Sequence, residues 1–464
     1  MFIGREYEIG KLEEYYKSDK FEFIVMYGRR RVGKTTILNE LVKNKKNLYI
    51  AGEEFNEKTT LENFTKALID YFDLPKSMPN FSNYKDIFDF IIEKAENERL
   101  VLILDEFQYI ASTNNGFLSF LQNIIDQKLI KTKIFMIVCG SSVSFMENEV
   151  LAYKSPLFGR RTAQFEINPF GIYEVAKFFE NYNKEDIIKA YAILGGTPQY
   201  LIKFDDKLTI EENLKKNILD KSSYLFDEAK NILKQELREV NVYNSIIQAI
   251  ASGYTKINEI ATKIGEERDK VSKYVKVLRE IRIIKREISF GEDENTKKSY
   301  YKISDNYFLF YYRFVYKNLR LIEQGKIDYL YKDEIEIYFS DYIGHIFEEV
   351  CKEYLNKKNR NDETPFVIAN IGNWWGNNKE EKKQEEIDIV GNNRNKYVFA
   401  ECKWKNEKMK LGVYKDLVRK SELVTSTATE KYYYLFSKSG FEEALMQESR
   451  KDKKIQLISL EDII

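Results

Sequence analysis

The segment Gly28-Arg-Arg-Arg-Val-Gly33-Lys34-Thr35-Thr36 follows the apolar run FEFIVMY and precedes the helical pattern ILNELVK, so a GxxxxGK[ST] loop stands between a strand and a helix. This spacing suits polyphosphate chemistry. Gly28 and Gly33 permit backbone angles that turn successive amides toward a β-phosphate, and the helix start adds its positive dipole end. Lys34 would bridge β- and γ-phosphates, Thr35 would give its hydroxyl to Mg²⁺, and Thr36 completes the nucleotide-binding set. Further on, the apolar strand Val101-Leu102-Ile103-Leu104 ends in Asp105-Glu106, at the strand end where open α/β sheets bind ligands. Asp105 would hold Mg²⁺, mostly through water, and Glu106 would orient and deprotonate the water attacking the γ-phosphate. The competing reading is a Gly-rich turn and a pair of solvated strand-end acids.

A second constellation lies near the C-terminus. Glu401 and Lys403 stand two apart on an expected strand and share one face, with Ala400, Cys402 and Trp404 on the other. Asp388 ends the neighbouring strand. Asp388, Glu401 and the Cys402 carbonyl would hold Mg²⁺, while Lys403 would steady an attacking water or the pentacovalent phosphate. A surface salt bridge between Glu401 and Lys403 is the plainer alternative. Glu386 reads as exposed, although strand alternation places it on the Asp388 face, where it would assist metal binding. Trp374-Trp375-Gly376 reads as a packed aromatic anchor, with base stacking as the other option.

The third is basic. Between Arg268 and Arg286 there are eight Lys/Arg against two Asp/Glu. Val271, Tyr274, Val275, Leu278 and Ile281 make one apolar stripe of a helix, leaving Lys270, Lys273, Lys276 and Arg279 on the rest of its circumference. INEIATKI, a turn at Gly265, this helix and a hairpin (IIKREISF, SYYKIS) form a winged helix-turn-helix pattern. Lysine dominance favours phosphate contact, hence non-specific or shape-led DNA binding; a solvated face on a purely structural module is the alternative.

These groups need elements to position them, and 464 residues suffice for roughly three domains. Lys+Arg and Asp+Glu both number 74, which excludes whole-molecule attraction to nucleic acid or an anionic membrane. Charged residues at 32% and apolar residues at 43%, with 21 Gly and 6 Pro, exclude a collagenous or low-complexity chain. No apolar run would span a bilayer, and the N-terminal acids do not suit a secretory signal, so a cytoplasmic protein without membrane attachment is expected. Three scattered cysteines and a single histidine, His345, set in a helical pattern, exclude a disulfide framework and a Cys/His zinc site. Catalysis must then rest on carboxylates, Lys, Arg and metal.

Strands alternating with helices through about residue 170 predict an α/β fold with a parallel sheet. The expected division is an ATPase core over 1–170, a helical lid over 171–240, the winged helix over 241–305, a helical connector over 306–340 and a C-terminal α/β domain over 341–464. In the last, strands are expected at PFVIAN, EEIDIV, KYVFAECKW and KYYYLF.

With these motifs in place, the first 200 or so residues resemble the AAA+/STAND-type P-loop ATPases, specifically the predominantly archaeal ATPase family. Phe2-Ile3-Gly4-Arg5-Glu6 resembles that family's N-terminal box, which implies that Arg5 lies near the adenine. Ser141 matches its sensor of the γ-phosphate, Pro198 of Gly195-Gly196-Thr197-Pro198 its lid motif, and Arg160 and Arg161 stand near its arginine finger, with a surface or salt-bridged pair as the alternative. Arg29 to Arg31 are expected to be solvated, and Cys139 to be a small core residue. The C-terminal set resembles the PD-(D/E)xK nucleases of restriction-endonuclease-like fold, with Glu348 matching their accessory acid. Together the resemblance implies an ATPase using ATP and Mg²⁺ that acts on DNA through the winged helix and nuclease-like domain, with homo-oligomers if the arginines act in trans. The alternatives are a STAND-like regulatory switch or a DNA-binding regulator, neither of which cleaves.

Overall fold

The computed structural model describes residues 2–96, 98–378 and 381–464. The chain divides into two compact units, 1–169 with 197–199, and 170–196 with 200–464.

In the first unit, strands β1 (Glu22–Tyr27), β2 (Asn47–Ala51), β3 (Val101–Asp105), β4 (Phe135–Gly140) and β5 (Ala163–Glu166) form a parallel sheet in the order β2-β3-β4-β1-β5. β1, β3 and β4 are buried along their whole length, which is why they read as unbroken apolar runs. Alternation splits their side chains between two cores. Phe23, Val25, Leu102, Leu104, Met136 and Val138 pack on one face. Ile24, Met26, Val101, Ile103, Ile137 and Cys139 pack on the other, against Ile37, Leu38 and Leu41 of the helix Lys34–Val42. The carboxyl ends of β1 and β3 therefore lie at one sheet edge, with β4 hydrogen-bonded between them.

The second unit is helical from Ile172 to Glu236 apart from its turns. There follow the helices Val240–Ala251, Ile257–Ile264 and Arg268–Glu280, and an antiparallel pair, β6 (Ile284–Ile288) and β7 (Ser299–Ile303). Val271, Val275 and Leu278 are fully buried and Tyr274 is half-buried, so the apolar stripe is present on Arg268–Glu280. The helix Ile337–Arg360 then precedes a five-stranded sheet in the order β12-β11-β10-β9-β8. Its members are β8 (Asn370–Asn378), β9 (Lys383–Asn393), β10 (Lys396–Lys403), β11 (Glu430–Ser437) and β12 (Ile455–Ser459). β8, β9 and β10 pair antiparallel, and β10, β11 and β12 parallel.

One strand differs from expectation. PFVIAN (365–370) is not a strand; pairing begins at its last residues and continues through Trp374 and Trp375. The physical reason is local. The Asn359 side chain accepts from Ile368 N at 2.8 Å and donates to Ile368 O at 2.9 Å, satisfying this backbone without a ladder. Among the described residues no helix is long and apolar enough to cross a membrane.

Candidate functional site

The loop after β1 is built around a steric limit. Gly28 has φ +155°, and a Cβ there would lie 2.2 Å from Ile167 O, whose residue already donates its N–H to Tyr27 O at 2.7 Å. Gly33, φ +95°, starts the helix Lys34–Val42, and a Cβ there would meet Pro198 Cγ at 3.8 Å. The Gly33–Pro198 approach brings the two motifs together. Arg5 donates to Val32 O at 3.1 Å and Asn168 O at 2.6 Å, and pairs with Glu8 at 3.2 Å. It thereby braces the loop against the chain leaving β5.

Lys34 is buried and donates from Nζ to Gly28 O at 2.8 Å and Arg29 O at 3.0 Å. Burial pulls its ammonium below the usual lysine range, partly offset by Cys139, Glu106 and Asp105. Such a charge, satisfied among the described residues by loop carbonyls, is one that an entering polyphosphate would attract. Thr35 Oγ1 lies 3.5 Å from Asp105 Oδ2, which also accepts from the Tyr49 hydroxyl. Burial, then Asp105, raises the Tyr49 phenol, so it remains a donor. Thr36 is exposed on the same helix.

Glu106 adopts φ +46°, a turn that swings its side chain away from the strand axis. Its Oε2 accepts from Ser141 Oγ at 2.6 Å, from Ser141 N at 3.3 Å and from Gln108 Nε2. Burial works to raise this carboxyl, but Ser141, Gln108 and Lys34 hold it below the usual range. Sequence reasoning missed Gln108 and Tyr49; Gln108 offered one signal, a polar residue two after Glu106, and Tyr49, in the middle of β2, offered none. The donor set of Thr35, Asp105 and Glu106 is hard oxygen, suited to Mg²⁺ completed by water and phosphate. Among the described residues no three His, Cys, Asp or Glu side chains cluster to hold a metal unaided.

Arg160 binds Asp126 through three contacts of 2.8 to 3.1 Å. Arg161 lies over the Phe158 ring at 5.7 Å, with Nη1 buried and without a hydrogen-bond partner among the described residues. Arg29, Arg30 and Arg31 are half-buried rather than solvated, because the loop folds back on the unit; Arg30 donates to the Tyr109 hydroxyl at 3.0 Å. Cys139 is a buried core residue, its thiol pushed well up by burial.

In the second unit, Ala400 pairs with Ile389 across β9 and β10, which brings Asp388 beside Glu401. Asp388 Oδ2 accepts from Cys402 N at 2.7 Å. Burial, then repulsion from Glu401 and Glu348, raises Asp388 well above the carboxylate range, with Lys403 opposing. Between the pairs Gly372–Val390 and Trp374–Ile387, β8 advances two residues and β9 three, so Asp388 sits at a bulge that re-aims it. Lys403 pairs with Glu401, and burial, which lowers its ammonium, is outweighed by Glu401 and Asp388. Glu401 Oε2 is buried without a hydrogen-bond partner among the described residues; Lys420, missed in the sequence, stands 4.0 Å from it. A buried acceptor without a hydrogen bond, beside a second acid, fits a divalent cation, with Lys403 and Lys420 as its present counter-charges.

Glu348 pairs with exposed His345 at 3.4 Å on the helix Ile337–Arg360, and Glu386 is exposed. Trp375 packs on Tyr300 with ring centroids 5.0 Å apart. Of the basic helix, Lys273, Lys276 and Arg279 are exposed, Lys276 lying 3.8 Å from Glu280, while Lys270 is held by Glu266 at 2.9 Å.

The family model of the ATPase domain predominantly from Archaea matches residues 2–204, and a second, of Archaea bacterial proteins of unknown function, matches residues 311–413. An uncharacterized protein of Methanocaldococcus jannaschii is 34% identical over 466 residues, covering 100% of both chains. An uncharacterized ATP-binding protein of that organism is 44% identical over 46 residues, 10% of this chain and 78% of the other. Among solved structures, the Walker-type ATPase of Pyrococcus abyssi is similar with a TM-score of 0.49 at 20% identity, covering 67% of this chain and 96% of that one.

Proposed function

The chain belongs to the family of ATPase-domain proteins found predominantly in Archaea, and on that premise we propose that it is a Mg²⁺-dependent ATPase acting on DNA, with a metal-dependent nuclease site in its C-terminal part. That it is an ATP-hydrolysing enzyme follows from the family. The single observation carrying the nucleotide mechanism is buried Lys34, held by its loop carbonyls and under the charges of Asp105 and Glu106. Lys34 exchanges its loop carbonyls for phosphate oxygens, and the amides from Gly28 to Thr35 receive the β-phosphate. Thr35 and Asp105 would hold Mg²⁺, which would supply neutralisation of the phosphate charge. Glu106 orients the attacking water and accepts its proton, and Ser141 links that carboxylate to the γ-phosphate. Arg161, with a donor to spare, is the better finger candidate than Arg160, which Asp126 engages.

For the second unit, the buried Oε2 of Glu401, with no hydrogen bond among the described residues, beside Asp388 and Lys403 supports a cleavage site, with Glu348 in an accessory role. The winged-helix reading of residues 241–305 assigns Lys273, Lys276 and Arg279 to DNA phosphates, with Lys270 joining once it leaves Glu266. The test is a plasmid nicking assay with Mg²⁺ or Mn²⁺ and ATP, alongside phosphate release. Nicking that requires Asp388 and Lys403 supports the nuclease; its absence under every metal removes that part.

A second reading, a regulatory switch of slow turnover, draws on one observation. Three donors converge on Glu106 Oε2, so the proposed base is engaged before any substrate arrives.

A further inference from the structure

Between the β6–β7 hairpin and strands β8 and β9 lies a cleft of about 620 Å³, within the second unit. Its wall is fixed by hydrogen bonds to the main chain of β8. Phe290 N donates to Asn373 O at 2.8 Å, Trp375 N donates to Ser289 Oγ at 3.0 Å, and that hydroxyl donates to Trp375 O at 2.9 Å. Behind the hairpin, Lys302 binds Glu349 of the helix Ile337–Arg360 at 2.7 Å. Three kinds of group line the cleft. Lys256, Lys297 and Lys298 supply ammonium groups, Tyr300 and Trp375 an aromatic pair, and Glu259, Glu348, Glu386 and Asp388 carboxylates. Asn373, opposite the bulge in β9, also lines it, and its Oδ1 is buried with no hydrogen-bond partner among the described residues.

Each group answers to one part of a nucleotide. Ammonium groups match phosphates, aromatic faces match bases, and an open amide oxygen matches a base N–H donor. Size narrows the choice. The cleft falls in the range of roughly 300–1,000 Å³ that small ligands occupy, which suits a few nucleotides of one strand. A peptide adding as a strand is disfavoured, because Ser289 and Phe290 already occupy main-chain groups of β8, the sheet's edge. Lys298 now pairs with Glu292 at 2.5 Å and Lys256 with Glu259 at 3.8 Å; both pairs are exposed enough to exchange for phosphate.

We infer that this cleft binds an unpaired stretch of nucleic acid and leads its backbone to Asp388, so that the proposed nuclease acts on single strands or frayed ends. Binding stands on the cleft alone; delivery to a cutting centre rests on the nuclease reading. The single strand lays its phosphates along the three lysines and a base against the Trp375–Tyr300 pair.

The test is fluorescence anisotropy of the full chain in EDTA with labelled eight-nucleotide DNA, the same sequence in RNA, and the blunt duplex. We expect at least one single strand to bind about tenfold more tightly than the duplex, the DNA-to-RNA ratio identifying the preferred sugar. Lys297→Ala with Lys298→Ala should weaken single-strand binding about tenfold and flatten its salt dependence. Tyr300→Ala should weaken it several-fold and Tyr300→Phe restore it, with unchanged thermal melting and ATP turnover showing that each variant is folded. Equal affinity for duplex and single strand, or affinity unmoved by the lysine pair, overturns the inference. Strand-selective binding without cleavage under any metal upholds the cleft and removes only the nuclease.

Discussion

Ser141 Oγ donates to Glu106 Oε2 at 2.6 Å, joining the end of β4 to the acid that follows β3. The carboxylate is held below the ordinary glutamate range against the effect of burial. Removing one donor must let burial count for more. In Ser141→Ala the acid limb of the ATP-turnover profile should therefore move to higher pH, since Glu106 acts only when deprotonated. Gln108→Ala should move it the same way. A pH series of phosphate release checks both, and a limb that stays in place in both variants would dissociate Glu106 from proton transfer.

Gly28→Ala should lower stability by roughly 2–4 kcal/mol and abolish nucleotide binding, because the new Cβ would sit 2.2 Å from a backbone oxygen that cannot move aside. Gly10→Ala, with nothing within 4 Å on the helix Glu6–Tyr16, should instead stabilise by about 0.5–1 kcal/mol. Urea unfolding of the two variants makes the comparison.

Lys302 and Glu349 are about a third exposed, which places their pair between buried and surface bridges. Burial favours the neutral acid, yet Lys302 and Lys285 hold Glu349 down to about 2. A depressed carboxyl stabilises the fold above its unfolded value and loses that contribution as pH falls through the folded one. Glu349→Gln should cost about 1–3 kcal/mol at pH 7, and its gap from wild type should close as pH drops from about 4 toward 2. Urea midpoints across that range measure the gap.

Asp388→Ala and Lys403→Ala should each abolish metal-dependent nicking while leaving ATP turnover within about twofold, because both residues belong to the second unit and the nucleotide loop to the first. Lys273→Ala with Lys276→Ala should weaken duplex DNA binding and reduce its salt slope by about two. Filter binding at several salt concentrations reads the second effect.

What was legible in the sequence follows from the range of the signal. β1, the glycine loop and Asp105-Glu106 are written in contiguous residues, and buried parallel strands announce themselves as apolar runs. The Asp388, Glu401 and Lys403 grouping was legible because a short hairpin sets the register. Tyr49, Gln108 and Lys420 were not, since each reaches its acid from another element or around a turn. The strand expected at PFVIAN failed for a related reason: Asn359, several residues earlier, takes its backbone bonds. The bulge that turns Asp388 toward the cleft also left no mark, because alternation assumes an unbroken ladder.

The most direct measurement is isothermal titration calorimetry of the purified chain with ATP and Mg²⁺, beside Lys34→Ala. Binding of one nucleotide per chain, weakened at least a hundredfold when Mg²⁺ is withheld or Lys34 is removed, is the expected result. Absence of binding heat in folded wild type, or equal affinity in Lys34→Ala, would contradict a polyphosphate site built on this loop.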